Sequence, residues 1–154
     1  MRSAAFSPTP PTEPDLRRHA RPRQGHSQLT QVQPSDISPW LYTTLERIHE
    51  IEKNPRTYPG VADLTVKSET AMHARSVLAS LFSLDLPNPT VTPVSGGALG
   101  FAWSVGTREL EAVVYPDYAT SFILSDGDRI IVDGTFEQNK TASLEEALTR
   151  LLRE

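Results

Sequence analysis

Between Val91 and Gly134 apolar residues recur at every second position, and three turn signals cut the run into pieces of strand length. Gly106-Thr107, Pro116-Asp117 and Asp126-Gly127 stand between the alternating segments. A period of two with short, regular interruptions restricts this segment to antiparallel strands joined by hairpins. Side chains of a strand point alternately to opposite faces, so each turn also decides which residues share a face.

Gly106-Thr107 suits a two-residue type II′ turn. It pairs Val105 with Arg108, Trp103 with Leu110, Phe101 with Ala112 and Leu99 with Val114. The other face then pairs Ser104 with Glu109, Ala102 with Glu111 and Gly100 with Val113. A slip of one residue destroys this apolar-to-apolar agreement. Tyr115-Pro116-Asp117-Tyr118 reads as a type I turn inside a three-residue hairpin, whose last loop residue takes left-handed backbone and is usually Gly. Tyr118 stands there instead, at a cost of roughly 1 kcal/mol. This turn sets Ala112 opposite Phe122 and Leu110 opposite Leu124. Asp126-Gly127, taken as the centre of a type I′ turn, sets Phe122 opposite Ile131 and Ile123 opposite Ile130.

One face therefore collects Leu99, Phe101, Trp103, Leu110, Val114, Phe122, Leu124 and Ile131, and helices 2 and 3 are expected to cover it. The opposite face is small and acidic at one end, with Ala98, Gly100, Ala102, Ser104, Glu109 and Glu111. At its other end it is apolar, with Val113, Tyr115, Ile123, Ile130 and Val132. Large exposed apolar patches are uncommon in monomers, so this patch calls for a cover. Helix 1 is one candidate; a protein partner or a second copy is the other. The candidate partner-binding residues are Val113, Tyr115, Ile123, Ile130 and Val132, with Glu111 at their acidic border.

Three helices frame the strands. Ser38 is a good N-cap, Pro39 suits the first helical position, and Ile37 and Tyr42 are placed for a hydrophobic staple. Leu41, Leu45, Ile48 and Glu52 follow one stripe, Trp40 and Ile51 lie beside it, and Asn54-Pro55 ends the helix. Residues 55–66 read as a loop with a turn at Tyr58-Pro59-Gly60. Ser68 is the expected cap of the second helix, whose apolar face is Ala71, Ala74, Val77, Leu78, Leu81 and Phe82, with its end at Leu86-Pro87. Ser143 and Glu146 have capping-box spacing, and Leu144, Ala147, Leu148, Leu151 and Leu152 form the stripe of the third helix. The expected fold is α+β: a four- to five-stranded antiparallel meander packed with helices, in the order α-α-β-β-β-β-β-α.

Residues 1–35 differ in character. They hold six of the 13 prolines among Ser, Thr, Gln and Arg, with Phe6 as their one aromatic residue. Such composition predicts a disordered tail ahead of a single domain over 36–154. The tail carries five arginines against two acids, or +3, which leaves −7 for the rest of a chain of net charge −4. Arg17, Arg18, Arg21 and Arg23 are candidate nucleic-acid contacts, while the acidic domain itself does not favour nucleic acid.

Several chemistries are disfavoured. The absence of cysteine excludes disulfides, thiol nucleophiles and cysteine-ligated metal. Gly96-Gly97-Ala98-Leu99-Gly100 is followed by neither Lys-Ser/Thr nor a helix, so it is no phosphate loop. His19, His26, His49 and His73 lack metal-ligand spacing, and His49 and His73 are expected at the surface of their helices. No nucleophile elbow occurs. Glu109 and Glu111 suit a solvated face, Asp126, Asp128 and Asp133 suit turn roles, and Trp103 suits core packing. Neither a cofactor nor a metal is expected. No apolar run approaches membrane length and no secretory signal is evident, so a cytoplasmic location is expected.

Thr57-Tyr58-Pro59-Gly60-Val61, Ser68-Glu69-Thr70, Ala74, Leu81, Pro89-Thr90-Val91, Ser95-Gly96-Gly97-Ala98-Leu99, Trp103, Leu110 and Pro116-Asp117 together form a pattern across roughly residues 55–152. The pattern resembles a widespread group of small bacterial proteins without an assigned activity. Their sequences run from a W-x-G-Y-like start through a helix to P-x-[IV], D-G-G-[IV]-x-[LI]-E-W and P-D-G. Here Tyr58 replaces the starting Trp, Ala102 the acid before Trp103, and Tyr118 the turn Gly. The resemblance implies a bacterial cytosolic accessory protein, of the kind found beside mobile elements or toxin–antitoxin pairs, with no established catalytic residue. The expected function is a non-enzymatic, antitoxin-like or regulatory interaction module. Nucleic-acid association through the arginine tail and a small enzyme or ligand-binding domain are the alternatives.

Overall fold

Five strands form one antiparallel meander in the order β1-β2-β3-β4-β5, and three helices pack against it. The strands are β1 (Thr90–Val94), β2 (Ala98–Val105), β3 (Arg108–Val114), β4 (Ala119–Asp126) and β5 (Arg129–Glu137). The helices are α1 (Pro39–Lys53) and α2 (Ser68–Ser80) before the sheet, and α3 (Ala142–Leu152) after it. This computed structural model describes residues 37–54, 64–138 and 140–153. The arginine tail and the Tyr58-Pro59-Gly60 turn lie outside the described residues. The α+β class and the element order are as the sequence pattern predicts.

The pairing of β2 with β3 and of β3 with β4 follows the predicted register at every position. Leu99, Phe101, Trp103, Leu110, Ala112, Val114, Phe122 and Leu124 all lie buried on one face. Phe101 and Trp103 stack with ring centroids 6.0 Å apart.

The β4–β5 register departs from expectation. Gly127 and Asp128 are the two loop residues, so Asp126 pairs with Arg129 and Ser125 with Ile130. A bulge between Leu124 and Ser125 then leaves Ile131 without an opposite residue and sets Leu124 against Val132, Ile123 against Asp133 and Phe122 against Gly134. An extra residue in one strand reverses the faces beyond it. Ile131 is therefore exposed, while Val132 packs against the core and Phe136 is buried in it. Gly134 makes this possible, because a Cβ there would fall 2.8 Å from the Phe122 ring.

All three helices serve the face that carries Trp103. α1 packs on α2 and β1, α2 on β2 and β3, and α3 across β2 to β5. Trp40, Leu41, Ile48 and Ile51 of α1 join Val77, Leu78, Leu81 and Val91 in a single core. Trp40 Nε1 donates to the Leu84 carbonyl at 2.9 Å and Ser38 Oγ to that of Phe82 at 3.1 Å, which fastens α1 to the α2–β1 connection. Arg75 pairs with Glu52 across the two helices. Arg108 donates to the Arg150 carbonyl at 3.1 Å and to that of Arg153, placing a cation at the negative end of α3.

Local details of the helices differ from expectation. Lys67 caps α2 and Ser68 is its first residue; the helix stops at Ser80, where i→i−3 bonds from Leu81 and Phe82 tighten the chain well before Pro87. Phe82 is consequently exposed. α3 starts at Ala142 with Thr141 as its cap, and Glu146 pairs with Arg150 in place of a capping box. Ile37 and Tyr42 are exposed and form no buried staple.

The Gly134 contact gives a direct test of the β5 register. Gly134→Ala should destabilise the domain by about 1–3 kcal/mol, the usual cost of overpacking. Chemical denaturation compares it with Thr135→Ala, whose side chain is exposed and whose substitution should change stability by less than about 0.5 kcal/mol.

Candidate interaction face and the His73 pocket

Because every helix lies on one side, β3 to β5 turn an uncovered face outward among the described residues. Val113 and Tyr115 on β3 and the turn after it, Ile123 on β4 and Ile130 on β5 all belong to this face through their register. Ile130 is 62% exposed, Ile123 44% and Tyr115 37%, and Val113 is half-buried. Ile131, pushed out by the bulge, adds a further apolar side chain at 39% exposure. Tyr115 is held across the strands by a 3.3 Å hydrogen bond between its hydroxyl and that of Ser121.

Glu109, Glu111 and Asp133 are exposed beside this patch; Glu111 pairs with Ile123 on β4, and Ile123 with Asp133 on β5. The face thus mixes exposed apolar side chains with acids, two of which border Ile123 on either side. Of the six predicted partner-binding residues the structure brings together Val113, Tyr115, Ile123, Ile130 and Glu111. Val132 is the exception: the bulge turns it to the opposite face. The expectation that helix 1 covers the patch is also overturned. α1 packs on α2 and β1, fastened by Trp40 to the α2–β1 connection and by Glu52 to Arg75 of α2, on the other side of the sheet. Arg17, Arg18, Arg21 and Arg23 lie outside the described residues.

A second group of residues gathers where α2 meets the β3–β4 turn. His73, expected at the surface, is only 4% exposed. Its Nε2 lies 3.4 Å from Thr120 Oγ1, which is itself fully buried. Burial holds the imidazole below its ordinary pKa, and the Asp117 carboxylate opposes part of that effect. Tyr118 has φ +66° and sets its ring edge-to-face on His73, with centroids 5.5 Å apart. Gln138, at φ +52°, donates its backbone N–H to the Tyr118 carbonyl at 2.9 Å. Met72, His73, Ser76, Tyr118 and Gln138 line a cavity of about 270 Å³.

Tyr118 thus holds the left-handed position that the hairpin demands, and its ring closes over His73. A glycine would fit the backbone and leave the imidazole without this cover. The sequence offers one signal for the cluster, the Tyr in a glycine position; nothing in the spacing connects it to His73, which comes 45 residues earlier.

The glycine pair Gly96-Gly97 serves the fold. Gly97 (φ +82°) accepts a 2.6 Å hydrogen bond from Thr70 Oγ1 and a 3.3 Å bond from the Lys67 N–H at its carbonyl. A side chain at Gly97 would meet the Lys67 stem at 2.7 Å. The pair therefore docks the start of α2 onto the β1–β2 turn. Trp103 is buried in the core, as expected for packing, and its Nε1 has no hydrogen-bond partner among the described residues. Among the described residues, no cluster of three or more His, Asp or Glu could hold a metal ion, and no helix is long and apolar enough to cross a membrane. No family model, curated protein or solved structure matches the chain.

The buried imidazole makes stability depend on pH. Below about pH 6.5 the unfolded chain takes up a proton at His73 that the folded chain resists. This contribution to stability is complete above about pH 6.5 and is lost as pH falls through the lowered folded pKa. Thermal melting at about pH 7.5 and about pH 5.5 should therefore show a smaller acid-induced drop in Tm for His73→Gln than for the wild type. Equal drops would mean that His73 titrates normally in the folded state.

Proposed function

We propose that this domain is a non-enzymatic protein-interaction module, an antitoxin-like or regulatory accessory of a bacterial cytosolic system. It binds a protein partner through the uncovered face of β3 to β5. The observation that carries this reading is the group Tyr115, Ile123 and Ile130, exposed together on a face that no described helix covers. Isolated exposed apolar residues need no explanation, but several on one uncovered face, set beside acids, are the composition of an interaction surface.

The acids on this face argue for a particular partner chemistry. Two copies of this face would oppose Glu109, Glu111 and Asp133 with their own kind, which disfavours self-association. A partner that presents apolar anchors beside Lys and Arg satisfies both the apolar side chains and the acids. The net charge of −7 outside the tail favours the same encounter.

The test is recovery of a stoichiometric complex from the native host. Ile123→Glu should abolish it, and Glu111→Lys should weaken it by at least about tenfold, the effect of losing about 1.4 kcal/mol. Tyr42→Glu, an exposed change on α1, should leave it intact. Circular dichroism should show every variant folded. A complex that survives Ile123→Glu places the interface elsewhere.

A further inference from the structure

We propose that the His73 pocket, between α2, the β3–β4 turn and the end of β5, binds a small ligand through its primary ammonium group. The site is separate from the uncovered sheet face and does not rest on the interaction-module reading. Its walls are Met72, His73 and Ser76 from α2, Tyr118 from the turn and Gln138 from the end of β5. Each of these side chains offers an acceptor atom or an aromatic ring, and none of them is cationic when the imidazole is neutral. A volume of about 270 Å³ suits a short aliphatic amine.

His73 is the group that gives the site its chemistry. The side chain is almost entirely buried, and Thr120 is the one hydrogen-bond partner it has among the described residues. The proposed ligand-binding tautomer is the one in which Nε2–H donates to Thr120 Oγ1 across their 3.4 Å contact, which leaves Nδ1 as an acceptor. Around it the charge is mostly negative. Asp117 acts directly on the imidazole, and Glu69 on α2 and Glu137 on β5 are exposed acids. Arg75 is engaged by Glu52. Lys140 is an exposed cation beyond Gln138 and forms no part of the wall. An anion would find no cationic partner among these walls, whereas an ammonium group meets acceptors and the Tyr118 ring.

Two costly backbone conformations hold these walls. Tyr118 and Gln138 are the two non-glycine residues with positive φ among the described residues, and one hydrogen bond joins them. Strain of this kind concentrates at ligand clamps. Here it keeps the Tyr118 ring against His73 and sets Gln138 at the same opening.

The experiment titrates n-butylammonium into the full chain while NMR follows the His73 ring, with 1-butanol and butyrate as controls. The expected result is a saturable shift with Kd near about 1 mM at neutral pH, and at least about tenfold weaker binding of both controls. Affinity should fall by at least about tenfold as pH drops through the His73 titration, because the imidazolium repels the ligand. Tyr118→Gly, which suits the left-handed backbone and so preserves the turn, should weaken n-butylammonium binding at least about fivefold. Absence of a saturable shift in the wild type overturns the site. Equal binding of 1-butanol overturns the ammonium chemistry, and unchanged affinity in Tyr118→Gly overturns the placement.

Discussion

The pairing of β2 with β3 is the constraint on which the rest of the structure depends. Leu99, Phe101 and Trp103 meet Val114, Ala112 and Leu110 across the ladder, and this agreement gives the sheet one strongly apolar face. All three helices are drawn to that face because it offers the largest area to bury. The other face is left to small residues on β2, to Glu109, Glu111, Val113 and Tyr115 along β3 and its turn, and to isoleucines on β4 and β5. An uncovered face is thus a consequence of the same register that builds the core.

Two turns translate the sheet into tertiary structure. Gly97 at the β1–β2 turn lets its carbonyl accept from Thr70 and Lys67, which places α2 against β2. Tyr118 at the β3–β4 turn accepts an unfavourable backbone and lays its ring on His73 of the same helix. α2 is therefore held at its start by a glycine carbonyl and met further along by a strained tyrosine. The pocket is formed where this second contact leaves room beside Gln138.

Much of this was legible in the sequence, and the failures have physical causes. Local alternation and turn chemistry suffice for β2 to β4, since a one-residue slip would turn Trp103 or Leu110 to the outer face. For β5, Asp126-Gly127 offers two plausible turn centres, and the competition is decided by distant packing. Shifting the turn and adding a bulge brings Phe136 and Val132 to the core and lets Gly134 lie under Phe122. Nothing local to Ile130-Ile131-Val132 announces this, so simple alternation puts Val132 on the wrong face. The position of α1 was likewise invisible: its stripe fits either side of a sheet, and the choice is made by Trp40 reaching the Leu84 carbonyl. His73 looks polar in sequence and is buried because Thr120 and Tyr118 receive it.

The central claim is that β3 to β5 present an apolar face with no cover of their own in the isolated protein. Carbene footprinting of the purified, monomeric full chain measures this residue by residue. The account predicts strong labelling of Tyr115, Ile123 and Ile130, with Phe122, Leu124 and Val132 protected. Protection of Ile123 and Ile130 to the level of Leu124 in the monomer would contradict it.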